Sequence, residues 1–212
     1  MARRIAEDHF DKREAIMARA AELFARHGYD RASMAMIAEA AGISKALAYH
    51  YWKDKADLLF DVLAAHLQHL VDLARGAGGT ARPPREGLEL LAGLLLDAYR
   101  DADAVHQVQI TCLRLLPEER QAALRALERA LVEAAAAMIA GLNAEAAADR
   151  RLLMPLTMSC FAMLNWHHLW HREGRGLSRD GYARMVTGLM AGGVEEAVKA
   201  VADLGAPVGG GG

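Results

Sequence analysis

The chain has 212 residues, enough for one or two domains with a buried core; 53% of them are apolar and only 6% aromatic. A net charge of −2 argues against a wholly basic nucleic-acid binder, but the charge is uneven. Residues 1–55 carry ten Lys and Arg against eight Asp and Glu, the remainder fifteen against nineteen. The two cysteines, Cys112 and Cys160, stand far apart in apolar runs, which is the usage of buried thiols in a reducing compartment rather than of a disulfide frame.

Residues 1–11 are polar and expected to fray, with Arg3 and Arg4 available to touch phosphate or a minor groove. No apolar segment follows this start and no stretch has the length of a membrane span, so no secretory leader is expected and the compartment is expected to be the cytoplasm. From Lys12 to His27 the apolar positions Ile16, Ala20, Leu23 and Phe24 recur at helical spacing and predict a first helix, ended by Gly28.

Ser33 to Lys55 organises the rest. Ser33 is a good N-cap for a helix over Met34 to Ala41, and Gly42 sits where a helix end needs a left-handed residue. Ile43 closes the turn, and Ser44 caps a second helix from Lys45. A helix, a glycine-containing turn and a second capped helix make a helix-turn-helix. The second helix keeps a face that no core needs. Ser44, Lys45, Ala46, Tyr49 and His50 are small, basic or hydrogen-bonding. Ala46 would let the helix sit deep in a major groove, Leu47 would meet a thymine methyl, and Lys45 and His50 would reach base edges or phosphates. Tyr49, Tyr51 and Lys55 suit phosphate contacts, which set register without reading sequence. Ile37, Ile43, Ala48 and Trp52 remain to close the unit. An ordinary helical corner with a solvated polar face is the bland alternative, and the string as a whole is too specific for it.

The block resembles the DNA-binding domain of the TetR family of transcriptional regulators. The resemblance rests on Ile37-Ala38-Glu39-Ala40-Ala41-Gly42-Ile43-Ser44-Lys45, then Tyr49-His50-Tyr51-Trp52-Lys53-Asp54-Lys55 and Leu58-Leu59. Ala48 stands where leucine is usual and Trp52 where phenylalanine is commoner. The resemblance implies an all-α fold of about nine helices. A three-helix DNA-binding domain over 1–55, to which Ser33 also belongs as a contact, would precede a helical effector-binding and dimerisation domain over 56–204. The glycine-ended tail 205–212 is expected to be disordered.

Beyond the motif, Asp54 reads as the N-cap of a long helix to about Arg75, and the run from Gly76 to Pro84 breaks it. Arg85 to Arg100 and Ala102 to Leu116 read as helices. Pro117 opens another towards Leu142, with Glu118 and Glu119 at its positive end. Arg151 to His171 reads as one strongly apolar helix, and Ser178 caps a last one to about Ala202.

No catalytic constellation converges, so an enzyme is not expected, nor is a cofactor. His167 and His171 have the spacing of a zinc-ligand pair, but the surrounding Trp166, Leu169 and Trp170 favour packing over metal. Met154, Met158, Met163, Cys160 and Phe161, with Tyr99, Cys112 and Leu115, read either as core or as the wall of an apolar effector cavity. The resemblance favours the cavity. Asn165 belongs to Ala162-Met163-Leu164-Asn165-Trp166, a run similar to one in TetR-like regulators of fatty-acid and aromatic-acid breakdown.

The expected function is therefore a repressor that binds a palindromic duplex operator as a homodimer through its last two helices. It would be released by a hydrophobic effector such as an acyl or aryl thioester of coenzyme A, with Arg114, Arg120, Arg150 and Arg151 available to its phosphates. A multidrug sensor, or a DNA-binding protein controlled by a protein partner, is the alternative.

Overall fold

The computed structural model describes residues 2–79, 82–100, 103–172 and 174–202. The fold is all-α. In chain order the described residues form α1 (Ala2–His27), α2 (Met34–Ala40), α3 (Lys45–Tyr51), α4 (Lys55–Ala77), α5 (Pro84–Arg100), α6 (Asp103–Cys112), a 3₁₀ turn (Leu113–Leu115), α7 (Glu118–Ala140), α8 (Ala144–Ala148), α9 (Arg150–Asn165), α10 (His167–Trp170) and α11 (Arg179–Ala202).

Local chemistry sets most of these boundaries. The Ser33 hydroxyl accepts the Met36 amide at 3.2 Å and the Ser44 hydroxyl that of Leu47 at 3.1 Å, each satisfying a donor the first turn leaves bare. Gly42 turns the chain at φ +67°, a conformation that side-chain-bearing residues rarely adopt. The Asp54 carboxylate accepts the Asp57 amide at 2.8 Å, and the Ser178 hydroxyl accepts that of Gly181 at 3.1 Å.

Four elements differ from the sequence reading. The helix expected over Ala102 to Leu116 is α-helical only to Cys112 and finishes as a 3₁₀ turn. The stretch expected to fray is helical from Ala2, because no glycine or proline before His27 interrupts the ladder. The side chains of Arg3 and Arg4 lie outside the described residues, as does the tail 205–212. Asn143 caps an unforeseen helix, its Oδ1 accepting the amides of Glu145 and Ala146, both at 2.9 Å. The segment read as one helix to His171 breaks at Trp166, which ends α9 and opens α10.

The chain forms two compact units, Met1–His69 with Ala102–Glu128 and Leu70–Asp101 with Arg129–Gly212. The expected boundary after residue 55 falls inside the first. That unit's core joins Ile16, Ala20 and Phe24 of α1 to Ile37 of α2, to Leu58, Leu59 and Leu63 of α4, and to Val108 and Cys112 of α6. Ala48 and Trp52 enter the same core from α3 and the residue after it. In the second unit α11 packs along α5 and against α9. Leu88, Leu91 and Leu95 of α5, Phe161 and Leu164 of α9, and Val186 and Met190 of α11 are all buried. Each such side chain contributes roughly 1.5–3 kcal/mol on burial, against about 1 kcal/mol for a typical cap.

Candidate nucleic-acid interface and effector-binding body

Helix α3 has only seven residues and buries one of them, Ala48. Ser44, Lys45, Ala46, Tyr49 and His50 are exposed, and Leu47 is half-buried. The outward face is thus the one chosen from the sequence, with a small side chain between basic and hydrogen-bonding ones. Lys45 Nζ lies 5.8 Å from the Tyr49 ring centroid, a cation–π contact along one turn of the helix. Tyr51 is half-buried, tilted against Trp52 with centroids 5.4 Å apart. Ser33 is exposed, but its hydroxyl is engaged in the α2 cap.

Lys55 has a role no local pattern suggested. Its ammonium donates to the carbonyls of Tyr29 at 2.6 Å, Asp30 at 3.3 Å and Ala32 at 3.0 Å, and sits 4.1 Å from the centre of the Tyr29 ring. One charge thus satisfies three carbonyls of the loop between α1 and α2. Burial, then Asp54 and Asp30, holds the Tyr29 phenol above its usual range.

The residues proposed from the sequence to line a cavity divide between the two units. Cys112 and Leu115 belong to the first; Tyr99, Met154, Met158, Phe161 and Asn165 belong to the second. Tyr99, Cys112 and Phe161 are buried, Met154 and Asn165 half-buried, and Leu115 and Met158 exposed. Burial pushes the Cys160 thiol up to about 11, and raises the Tyr99 phenol, with Cys160 adding to that shift. Asn165 Oδ1 is buried without a hydrogen-bond partner.

The sequence reading missed His66 of α4 entirely. Its Nε2 is buried with no hydrogen-bond partner. Burial, then His106 and His69, pushes its imidazole down to about 4, so it is neutral at pH 7. A histidine inside a leucine-rich helix was a detectable signal, because an apolar stripe does not need one.

His167 and His171 stack face to face with centroids 4.3 Å apart, and Tyr182 lies 4.5 Å from His167. Burial, then His171 and Arg179, pushes His167 down to about 4. The rings present faces to each other rather than convergent lone pairs, and among the described residues no three His, Cys, Asp or Glu side chains gather as metal ligands. Of the arginines considered for phosphates, Arg120 is ion-paired with Asp57, Arg151 is held by Asp149 at 2.8 Å, and the Arg150 side chain lies outside the described residues.

Residues 16–62 match the family model described as bacterial regulatory proteins, tetR family, and residues 81–202 match that of a tetracyclin repressor-like C-terminal domain. The chain belongs to the TetR family of transcriptional regulators. It is a regulator and not an enzyme, as the sequence reading expected. A TetR-family transcriptional regulator from Bordetella parapertussis is similar over 84% of this chain and 93% of its own, at 33% identity and a TM-score of 0.76. The transcriptional activator FasR of Mycolicibacterium smegmatis is 32% identical over 87 residues, 41% of this chain and 40% of that protein. The matched stretches span about two fifths of the curated relatives. AibR, solved in complex with isovaleryl coenzyme A and operator DNA, shares the fold at a TM-score of 0.71 and 20% identity, over 84% of this chain and 97% of its own. Among the described residues no helix is long and apolar enough to cross a membrane.

Proposed function

We propose that this TetR-family chain is a cytoplasmic repressor that binds a palindromic duplex operator as a homodimer and is released by a small hydrophobic acid or its coenzyme A thioester. The observation that carries the DNA-binding part is the division of α3, with Ala48 packed inward and Lys45, Ala46, Tyr49 and His50 presented together. A short helix with one small exposed residue between basic and aromatic ones fits a major groove, where side chains meet base edges.

The experiment compares two lysines on a duplex that the protein itself selects from random sequence. Lys45→Ala is expected to cost about 1–3 kcal/mol on that duplex and to blur the preference at one base pair. Lys55→Ala is expected to lower stability by about 2 kcal/mol, since its charge satisfies three carbonyls, and to leave the salt slope of DNA binding unchanged, since its ammonium is engaged within the fold. Fluorescence anisotropy and urea melts measure both. A Lys45→Ala variant that binds like the parent would remove α3 from the groove.

Two features support an acid or thioester as effector over a cationic drug. The buried polar side chains among the described residues are His106, Thr157, His167 and Thr187, and none is a carboxylate that would neutralise a cation. His66 adds a neutral imidazole with an unmet hydrogen bond, suited to an acyl carbonyl or a carboxylic acid. AibR, the fold relative bound to isovaleryl coenzyme A, makes short acyl thioesters the first probes. Isovaleryl-, octanoyl- and phenylacetyl-coenzyme A, with the free acids, are expected to displace the protein from the selected duplex, whereas tetraphenylphosphonium is not. Release by the cation alone reverses this assignment and makes the protein a multidrug sensor.

A further inference from the structure

Two aspartates one turn apart on α4 each take one group from the turn behind α3 and one guanidinium from another helix of the same unit. Asp61 Oδ2 accepts the Trp52 indole N–H at 2.6 Å and an Arg13 N–H from α1 at 2.5 Å. Asp57 Oδ2 accepts the Lys53 backbone N–H at 3.1 Å, while its Oδ1 is ion-paired with Arg120 of α7. Arg120 also lies 5.5 Å from the Phe60 ring centroid. Its side chain is 30% exposed and that of Asp57 22%, so the pair is largely withdrawn from the water that weakens surface ion pairs.

The short recognition helix needs such anchors. Seven residues form too few intrahelical bonds to be stable alone, and the Ala48 methyl is too small a contact to set the tilt of the helix. Trp52 and Lys53 follow it directly, so whatever holds them fixes its C-terminal end. Arg13 lies on α1, within the expected three-helix DNA-binding segment. Arg120 lies 63 residues beyond Asp57 in sequence, outside the DNA-binding segment.

We infer that Arg120 is a positioning residue for DNA recognition. It neutralises the Asp57 carboxylate and holds it in the rotamer that accepts the Lys53 amide, and so sets the angle at which α3 is presented. Without the guanidinium the carboxylate turns to water, and the end of α3 is left to the buried Trp52 ring and its bond to Asp61. The inference rests on α3 being the DNA-reading helix. Arg120 then acts on the geometry of that helix and makes no phosphate contact of its own.

The test uses the full chain and two duplexes, one selected from a random library by the wild type and one of scrambled sequence, at several salt concentrations. Arg120→Met is expected to lower affinity for the selected duplex about tenfold, the loss of one charge-assisted contact's worth of positioning. Affinity for the scrambled duplex, and the salt slope on both, should stay within about twofold of wild type, since no phosphate contact is removed. Arg120→Lys should recover most of the loss. Asp57→Ala, which removes the acceptor for Lys53, should reproduce the loss should Arg120→Met fold poorly. Equal losses on both duplexes with a reduced salt slope would make Arg120 a phosphate contact and overturn the inference. So would unchanged affinity for the selected duplex. A wild type that selects no duplex at all would overturn the reading of α3 instead.

Discussion

Leu189→Arg is expected to leave a folded monomer that has lost most of its affinity for a palindromic duplex. Trp166 and Leu189 are 64% and 55% exposed, and Leu169, Trp170 and Met185 join them on α10 and α11. Such large apolar side chains are costly to leave in water, and their exposure on consecutive elements is the kind of feature that marks a protein interface. At Gly188, Gly192 and Gly193 an added Cβ would meet nothing within 4 Å, so a second helix could approach the α11 backbone closely. We propose that a second copy of the chain covers this face. A two-fold axis would place any substitution in it twice.

A buried unpaired charge costs about 3–5 kcal/mol, so Leu189→Arg should weaken dimerisation by a factor of roughly a hundred or more. Losing the second DNA-binding head should then reduce affinity for a palindrome by about 10²–10⁴, with little change on a single half-site. Sedimentation velocity at micromolar protein, with binding to whole and half sites, measures both effects. A variant that still sediments as a dimer, or a wild type that is already a monomer, would place the interface elsewhere or nowhere.

Trp52→Ala is expected to be the most destabilising single change in the DNA-binding unit. The side chain is 2% exposed, its indole N–H bonds Asp61 at 2.6 Å, and Arg13 lies 5.6 Å from the ring centroid. Truncation removes a large buried ring and leaves Asp61 with one partner fewer, a loss of about 3–5 kcal/mol. Trp52→Phe keeps most of the volume and gives up only the N–H bond, so about 1–2 kcal/mol should be lost. Urea unfolding followed by circular dichroism separates the two. A Trp52→Ala loss below about 1 kcal/mol would mean that the surrounding core collapses onto the space.

Within this family, the recognition motif was readable because its signals are local. Ser33 and Ser44 cap the helices that directly follow them, and Gly42 needs only its own backbone to turn the chain. The exposed set on α3 follows from helical periodicity once Ala48 is assigned to the core. The same kind of signal was present at Trp166, but an unbroken apolar run masked it, and the reading carried one helix through to His171. Periodicity reports that a stretch is apolar and helical, not where its axis turns.

What only the tertiary structure decided is which partner each charged or aromatic group uses. Lys55 looked like a phosphate ligand by residue type, yet its ammonium meets carbonyls 23 to 26 residues earlier in the chain. Arg120 looked free for a coenzyme A phosphate and is instead paired with Asp57. His167 and His171 had metal spacing, and the fold stacked their rings. Caps and turns close between residues a few positions apart, so their energies are written into the local sequence. A long side chain chooses among every group that folding brings within about 4 Å, and that choice exists only once distant helices have packed.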